Sequence, residues 1–157
     1  MNKKDWYFES DDSICSFRGV GVLLRGDKVL VQSDKGIYAL PGGHVAMGET
    51  AEETVIREYK EETGADVFCE RLIWVEETFW EHKNKKAHSI AFYYLISLKD
   101  ESNICDDYFT SQKDNCNIVL QWVTINEMKQ LEIYPAFIKE KIENISDSIE
   151  HFVCHEQ

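Results

Sequence analysis

The sequence predicts a mixed α/β (α+β) fold in which several strands surround one acidic helix. Runs of apolar or alternating residues typical of β-strands recur along the chain, and turn-forming residues separate them. Segment 50–64 carries helix signals at both of its ends, and apolar residues near the C-terminus repeat at the helical spacing of three and four. At 157 residues the chain has the length of one domain, so we expect residues 1–157 to form a single unit.

Several segments have the composition of β-strands. They are 17–24, 28–33, 37–40, 67–80, 87–98 and 119–124. The first two are joined by Arg25-Gly26-Asp27, which predicts a hairpin. The two long segments flank a polar turn, 82–86, and should pair antiparallel. The polar segment 99–117 is expected to be a loop that can reach over a site.

The acidic helix is bounded by capping residues. Thr50 followed by Glu53 forms the pattern of a capping box, and Gly64 can adopt the positive φ that ends a helix. The segment Pro41-Gly42-Gly43 precedes this helix, and its glycines let the backbone turn sharply or approach a ligand. The sequence therefore predicts a strand, a loop and a helix in succession.

Two further helices are predicted near the C-terminus. One covers 125–131 with Asn126 as its N-cap, and Pro135 opens the other. The apolar stripe of the last helix is Phe137, Ile138, Ile142, Ile145, Ile149 and Phe152. Such a stripe packs against the core of a domain.

Composition excludes several classes of protein. The net charge is −12, from 29 acidic and 17 basic residues, so extended nucleic acid is not an expected partner. The longest apolar run, 90–96, is far shorter than the ~20 residues that cross a bilayer, and we expect no membrane association. Residues 1–12 lack the apolar core of a signal peptide, which favours a cytoplasmic location. The five cysteines form no CxxC pair and are expected to be reduced thiols.

The segment REYKEETG, residues 57–64, concentrates carboxylates on one face of the acidic helix. Glu58, Glu61 and Glu62 fall within roughly 100° of one another, because positions i, i+3 and i+4 share a face. Like charges at this spacing repel, and a hard cation such as Mg²⁺ removes the conflict by taking oxygen ligands. The pattern therefore predicts a place where a metal ion and a phosphorylated ligand meet.

The same stretch resembles the signature of the Nudix hydrolases, the MutT-like pyrophosphohydrolases. That signature reads G, five residues, E, seven residues, then R-E-aliphatic-x-E-E-x-G-aliphatic. The matching fixed residues here are Gly43, Glu49, Arg57, Glu58, Glu61, Glu62 and Gly64. Tyr59 and Ala65 stand at the two aliphatic positions, and neither carries chemistry. The box covers 43–65, and a weaker resemblance extends over most of the chain.

The resemblance implies a fold and an activity. The fold is an α/β/α sandwich with a curved mixed sheet. The activity is hydrolysis, assisted by Mg²⁺ or Mn²⁺, of a pyrophosphate bond in a small phosphorylated nucleotide that carries a further group. A nucleoside triphosphate and a nucleotide-sugar-like compound both remain open as substrates.

The resemblance also assigns roles to individual residues. Glu58, Glu61 and Glu62 are expected metal ligands, together with the carbonyl of Gly42. Either Glu58 or Glu61 acts as the general base. Arg57, assisted by Glu49, orients the catalytic glutamates, because a guanidinium fixes a carboxylate rotamer through two parallel hydrogen bonds. The competing interpretation of Arg57 is a surface ion pair with Glu61.

Several questions stay open in the sequence. A further carboxylate from the 99–117 loop could join the site, and the candidates are Glu101, Asp106, Asp107 and Asp114. Trp74, Phe79 and Trp80 could stack on a base, although aromatic residues on strands more often belong to the core. Two other functions compete with hydrolysis of a small nucleotide: pyrophosphate removal from an RNA 5′ end, and nucleotide binding without catalysis. A homodimer is one option for the oligomeric state.

Overall fold

A computed structural model of the chain describes residues 3–113 and 117–156, about half of them in β-strands. The strands are β1 (Tyr7–Glu9), β2 (Ser13–Arg25), β3 (Lys28–Asp34), β4 (Ile37–Ala39), β5 (Gly42–His44), β6 (Val67–His82), β7 (Lys85–Leu98), β8 (Tyr108–Thr110), β9 (Val119–Thr124) and β10 (Glu150–His155). The helices are α1 (Ala51–Thr63), α2 (Ile125–Met128) and α3 (Ile138–Lys141). None of the helices within these two ranges is long and apolar enough to cross a membrane.

The strands form one mixed sheet, as predicted. Its main path runs β10-β6-β7-β2-β3-β9-β8, while β1 and β5 pair with β2, and β4 pairs with β3. The β2–β7 and β10–β6 pairs are parallel and the other pairs are antiparallel. The register of β6 against β7 shifts between Cys69 and Arg71 and again between Leu72 and Trp74. Such bulges bend a strand and increase its local twist.

Two hydrophobic cores lie on the two faces of the sheet, and together they give the predicted α/β/α order. Neighbouring residues of β3 alternate between the two cores, with Leu30 in one and Val31 in the other. α1 contributes Val55 and Tyr59 to the first core. α2 and α3 contribute Met128, Ile138 and Ile142 to the second. The order of layers follows from the period-two alternation of the strands.

α1 begins and ends where the sequence predicts. The side chain of Thr50 accepts a hydrogen bond from the backbone N of Glu53 at 3.0 Å, and the Glu53 carboxylate accepts one from the Thr50 N–H at 2.8 Å. Gly64 ends the helix with φ of 75° and donates its N–H to the carbonyl of Lys60. The predicted hairpin at 25–27 and the antiparallel pairing of β6 with β7 are also confirmed.

Three local predictions need correction. The 99–117 segment is not all loop, because β8 (Tyr108–Thr110) pairs with β9. β1 was not predicted and pairs with β2. Asn126 is not a helix cap: Thr124 caps α2, forming a capping box with Glu127. Thr124 can do this because it ends β9 in an extended conformation, which is what an N-cap residue requires.

The prediction of a long C-terminal helix is wrong. α3 is only four residues long, and Glu150–His155 form β10, parallel to β6. The apolar period persists because Phe152 on β10 still stacks against Phe137, with ring centroids 4.1 Å apart. Pairing with the edge of β6 also satisfies backbone groups that a helix would leave uncovered on that strand. Residues 150–155 therefore form a strand, because pairing with the free edge of β6 outweighs the helical spacing of their apolar side chains.

Candidate active site

Glu58 is packed between α1 and β5. Its side chain is only 4% exposed. A Cβ placed on Gly43 would lie 2.2 Å from Glu58 Oε1, closer than any real contact, so the strand needs a glycine at this position. The preceding residue of the same strand is Gly42. The glycines before the helix thus bring backbone directly against the carboxylate.

Arg57 is held by a buried carboxylate rather than by a surface ion pair. Its Nε and Nη2 donate to the two oxygens of Glu49 at 2.8 and 3.0 Å. Its Nη1 donates to Glu58 Oε1 at 2.8 Å, whereas the contact with Glu61 Oε2 is longer, at 3.4 Å. This geometry favours the orienting role of Arg57, because the two parallel bonds to Glu49 fix the guanidinium plane.

Glu49, which binds Arg57, is itself held in place by burial and by further hydrogen bonds. Its side chain is 3% exposed, and Oε2 also accepts hydrogen bonds from the Ala46 N–H and the Thr54 hydroxyl, both at 3.0 Å. Burial tends to raise the pKa of Glu49, but the hydrogen bonds from Arg57, Ala46 and Thr54 lower that pKa to about 2. The hydrogen bond to Glu49 in turn raises the pKa of Arg57. Both groups are therefore charged at neutral pH.

Lys113 is the site residue that sequence reasoning missed. Its Nζ lies 2.8 and 3.0 Å from the two oxygens of Glu58 and 3.3 Å from Glu61 Oε2. The neighbouring Gln112 donates its N–H to the Glu62 carbonyl at 2.9 Å, which fixes the loop to α1. No motif in the sequence marks this lysine, and the only signal was a polar loop able to reach the helix.

Glu62 is buried beside these groups. Within residues 3–113 and 117–156, its Oε2 has no hydrogen-bond partner. Burial, followed by the charge of Glu58, raises the pKa of Glu62 to about 7. A buried carboxylate oxygen without a partner is costly, and a bound cation would satisfy it.

The chemistry of these donors fits a hard divalent cation. Glu58, Glu61 and Glu62 supply carboxylate oxygens, which suit Mg²⁺ and Mn²⁺. In the described ranges no three His, Cys, Asp or Glu side chains converge into the geometry of a metal site. The Lys113 ammonium contacts both Glu58 and Glu61. Nudix hydrolases generally use divalent metals, and this donor set is consistent with that use.

The candidate carboxylates of the 99–117 loop that the structure describes make contacts different from those of Lys113. Asp107 pairs with Lys28 at 3.7 Å, and the backbone carbonyl of Glu101 accepts from Arg25. Asp106 lines a hollow near Thr63 at the C-terminal end of α1. Asp114 lies outside the described residues.

The aromatic candidates for base stacking differ in exposure. Trp74 is 0% exposed and belongs to the core. Phe79 stacks between His88 and His155, with ring centroids 4.1 and 5.1 Å away. Trp80 alone of the three candidates lines the cavity beside Glu76. Of the three candidates, Trp80 is thus the best placed to contact a ligand.

A carboxylate-bearing helix, packed across a glycine strand of a mixed sheet and fixed by a buried arginine–glutamate pair, defines a Nudix-type site. The family model described as NUDIX domain matches residues 16–144. The chain therefore belongs to the Nudix family.

Individual relatives agree with this assignment. An ADP-ribose pyrophosphatase of Methanocaldococcus jannaschii is 34% identical over 83 residues, which are 50% of this chain and 48% of that protein. The chain thus matches about half the length of that relative. The Nudix hydrolase YvcI of Bacillus subtilis is 28% identical over 117 residues, 73% of this chain and 70% of the relative. The crystal structure of a MutT protein from Bacillus halodurans shares the fold, with a TM-score of 0.69, 21% identity and 90% of each chain covered.

Replacing Lys113 by methionine is expected to tighten metal binding roughly tenfold. The ammonium and a divalent cation are attracted to the same carboxylates, and one unit-charge repulsion at about 4 Å is worth ~1 kcal/mol in water and more near a protein surface. Titration with Mn²⁺, followed by the electron paramagnetic resonance of the free ion, measures this change. Lys99→Met is a matched control, because Lys99 is exposed and lies near the other end of the same loop. An unchanged Mn²⁺ affinity would contradict the competition.

Proposed function

We propose that this protein is a metal-dependent hydrolase that cleaves the pyrophosphate bond of a small nucleoside diphosphate carrying a further group. The observation that supports the proposal is the ridge of Glu58, Glu61 and Glu62, backed by the buried Arg57–Glu49 pair. Glutamates that repel one another gain stability from a bound divalent cation, and a substrate pyrophosphate is neutralised by the same kind of ion. The ridge and the buried pair lie within residues 16–144, which the family model matches.

The metal ligands are Glu58, Glu62 and, in a supporting role, Glu61 and the Gly42 carbonyl. Glu58 and Glu62 are the buried members of the ridge, so their oxygens gain most from a cation. When bound, Mg²⁺ or Mn²⁺ neutralises phosphate charge and lowers the pKa of a coordinated water. Arg57 keeps Glu58 in place through the 2.8 Å hydrogen bond from Nη1.

Glu61 is the general base. Its side chain is 40% exposed, and its contacts with Arg57 and Lys113 are long, at 3.4 and 3.3 Å. It is therefore freer to receive a proton than Glu58, which is clamped from two sides. In the reaction the water oxygen bonds to one phosphorus, the bond from that phosphorus to the bridging oxygen breaks, and the water proton passes to Glu61.

Relatives suggest which substrates to test first. One matched relative is an ADP-ribose pyrophosphatase, and another is a putative 8-oxo-dGTP diphosphatase of Mycobacterium tuberculosis. ADP-ribose and nucleoside triphosphates are both small nucleotides with a pyrophosphate bond. The net charge of −12 disfavours long RNA, because counterion release requires basic residues along the contact.

A panel of about 40 phosphorylated metabolites tests the proposal. The protein is incubated with each compound and Mg²⁺ or Mn²⁺, and release of phosphate or nucleoside monophosphate is measured. We expect hydrolysis of at least one small nucleotide and its loss after chelation with EDTA. Turnover of 5′-triphosphate RNA alone would favour the RNA function, and calorimetric binding without product would favour a non-catalytic module. Either outcome would refute the proposal.

A further inference from the structure

A second cavity lies on the face of the sheet that α1 does not cover. It has a volume of about 270 Å³, and its lining includes Arg18, Glu76, Thr78 and Trp80 from the sheet together with Tyr134 and Glu156. Ligand pockets usually span about 300–1,000 Å³. The cavity is therefore of a size to hold one ring system rather than a whole nucleotide.

Strand register explains why this cavity is both open and polar. Across β6, β7 and β2, Glu76 pairs with Ala91, and Ala91 pairs with Arg18. In the adjacent row, Thr78 pairs with Ser89. Small side chains on the central strand leave space between the long polar ones on its neighbours, because side chains on one face of a sheet stand side by side.

Glu76 is a buried carboxylate with acceptor capacity left over. It is 6% exposed, and the Tyr93 hydroxyl donates to its Oε2 at 2.9 Å while the Thr78 hydroxyl donates to its Oε1. An ionised carboxylate has about four acceptor sites. Each oxygen therefore keeps an acceptor position after these two bonds, and the bonds fix the plane of the group.

Arg18 lines the cavity and pairs in register with His44 of β5, the strand whose Gly43 packs against Glu58. Burial raises the pKa of both Glu76, on the cavity side, and Glu62, on the ridge side, and the positive charge of Arg18 partly offsets the rise at each carboxyl. Arg18 Nη1 contacts His44 Nε2 at 3.4 Å, and within the described ranges Arg18 forms no ion pair with a carboxylate. A ligand with phosphates at one end and a hydrogen-bonding ring at the other could place its phosphates at the ridge and its ring beside Glu76.

We propose that Glu76 selects the base of the substrate by accepting hydrogen bonds from two adjacent N–H donors, such as those on the Watson–Crick edge of guanine. This proposal rests on the proposed nucleotide substrate. Trp80 lines the same cavity and supplies an apolar surface for the ring.

Among the common bases the donor pattern of guanine is distinctive. Guanine presents N1–H and the N2 amino group side by side, whereas adenine and cytosine each present one donor beside an acceptor, and uracil presents one donor between two acceptors. Hypoxanthine keeps N1–H and lacks the amino group. A carboxylate fixed by hydroxyl donors pairs best with two adjacent donors, since it has no proton to offer to an acceptor.

The first test compares ligands on the unaltered protein. Isothermal titration calorimetry with guanosine, inosine and adenosine 5′-monophosphates, each with Mg²⁺, requires no turnover. We expect guanosine monophosphate to bind at least about 10-fold more tightly than inosine monophosphate, because hydrogen bonds to charged groups are strong and the inosine compound lacks one donor. Equal binding of these two ligands, or tightest binding of adenosine monophosphate, would overturn the proposal.

The second test uses Glu76→Gln, which keeps the shape of the side chain but replaces one acceptor with a donor. We expect the preference for guanosine over inosine monophosphate to fall to about 2-fold or less. Glu77→Gln is the matched control: Glu77 is the next residue of β6, points away from the cavity and contacts His88 and His151. A thermal melt checks that Glu76→Gln folds, and the ligand comparison on the unaltered protein stands even if it does not.

The two proposals fail in different ways. Hydrolysis of a small nucleotide together with equal binding of guanosine and inosine monophosphates would leave the proposed function intact and overturn the role of Glu76. Selective binding of guanosine monophosphate that depends on Glu76, without turnover of any compound, would support the role of Glu76 and overturn the proposed function.

Discussion

Glu61→Gln is expected to reduce kcat by about 10³-fold, while the affinity for Mn²⁺ falls less than it does in Glu58→Gln. The amide cannot take the proton of the attacking water, and general base catalysis contributes typically 10²–10⁴-fold. The side chain is 40% exposed and contacts its neighbours only at 3.3 and 3.4 Å, so the substitution should leave the fold intact. Single-turnover rates and Mn²⁺ titrations measure the two quantities separately.

Comparing Glu58→Gln with Glu61→Gln separates the role of a metal ligand from that of the general base. Glu58 is a buried carboxylate and a proposed metal ligand, held in place by Arg57, so the loss of its negative charge should weaken Mn²⁺ binding by at least about 10-fold. Raising the Mn²⁺ concentration should then restore part of the rate, which it should not do for Glu61→Gln. If Glu58→Gln instead bound Mn²⁺ normally and lost its rate, Glu58 rather than Glu61 would be the base.

Glu49→Gln is expected to lower the free energy of unfolding by about 3 kcal/mol at pH 7. The pKa of this buried carboxylate falls from 4.5 to about 2 on folding, and each pKa unit corresponds to about 1.4 kcal/mol. The substitution also leaves the Arg57 guanidinium without its two parallel bonds. Urea denaturation followed by tryptophan fluorescence measures the difference.

The effect of Glu49→Gln should depend on pH with a defined sign. The folded-state pKa of Glu49 is depressed, so its contribution to stability is fully present above about pH 4.5 and is lost as the pH falls towards 2. The unaltered protein and the variant should therefore converge in stability across that window. Glu52→Gln, an exposed change in the first turn of the same helix, should show no such convergence. A difference that persists below pH 2 would point to lost packing rather than lost charge.

Much of the site was predictable because its residues lie close together in sequence. Glu58, Glu61 and Glu62 share one face of α1 as the helical period requires, and Thr50 and Gly64 bound the helix through their local conformations. Such local rules need no knowledge of the rest of the chain.

Residues contributed from a distance were not predictable in the same way. Lys113 approaches Glu58 across 55 positions of sequence, and no pattern distinguished it from other lysines in polar loops. Glu76 is one of many glutamates on the chain, and its burial follows only from the register of β6 against β7. The C-terminal strand β10 was predicted as a helix because its apolar spacing suits either structure until the free edge of β6 is known.

The sequence by itself determined the Nudix box, the acidic helix and most of the longer strands around it, since each depends on the order of neighbouring residues. Only the tertiary structure decided that Lys113 contacts the ridge, that Glu76 lines a cavity and that Glu150–His155 form a strand. The physical reason is that burial and charge pairing depend on which segments pack together, and packing is a property of the whole sheet.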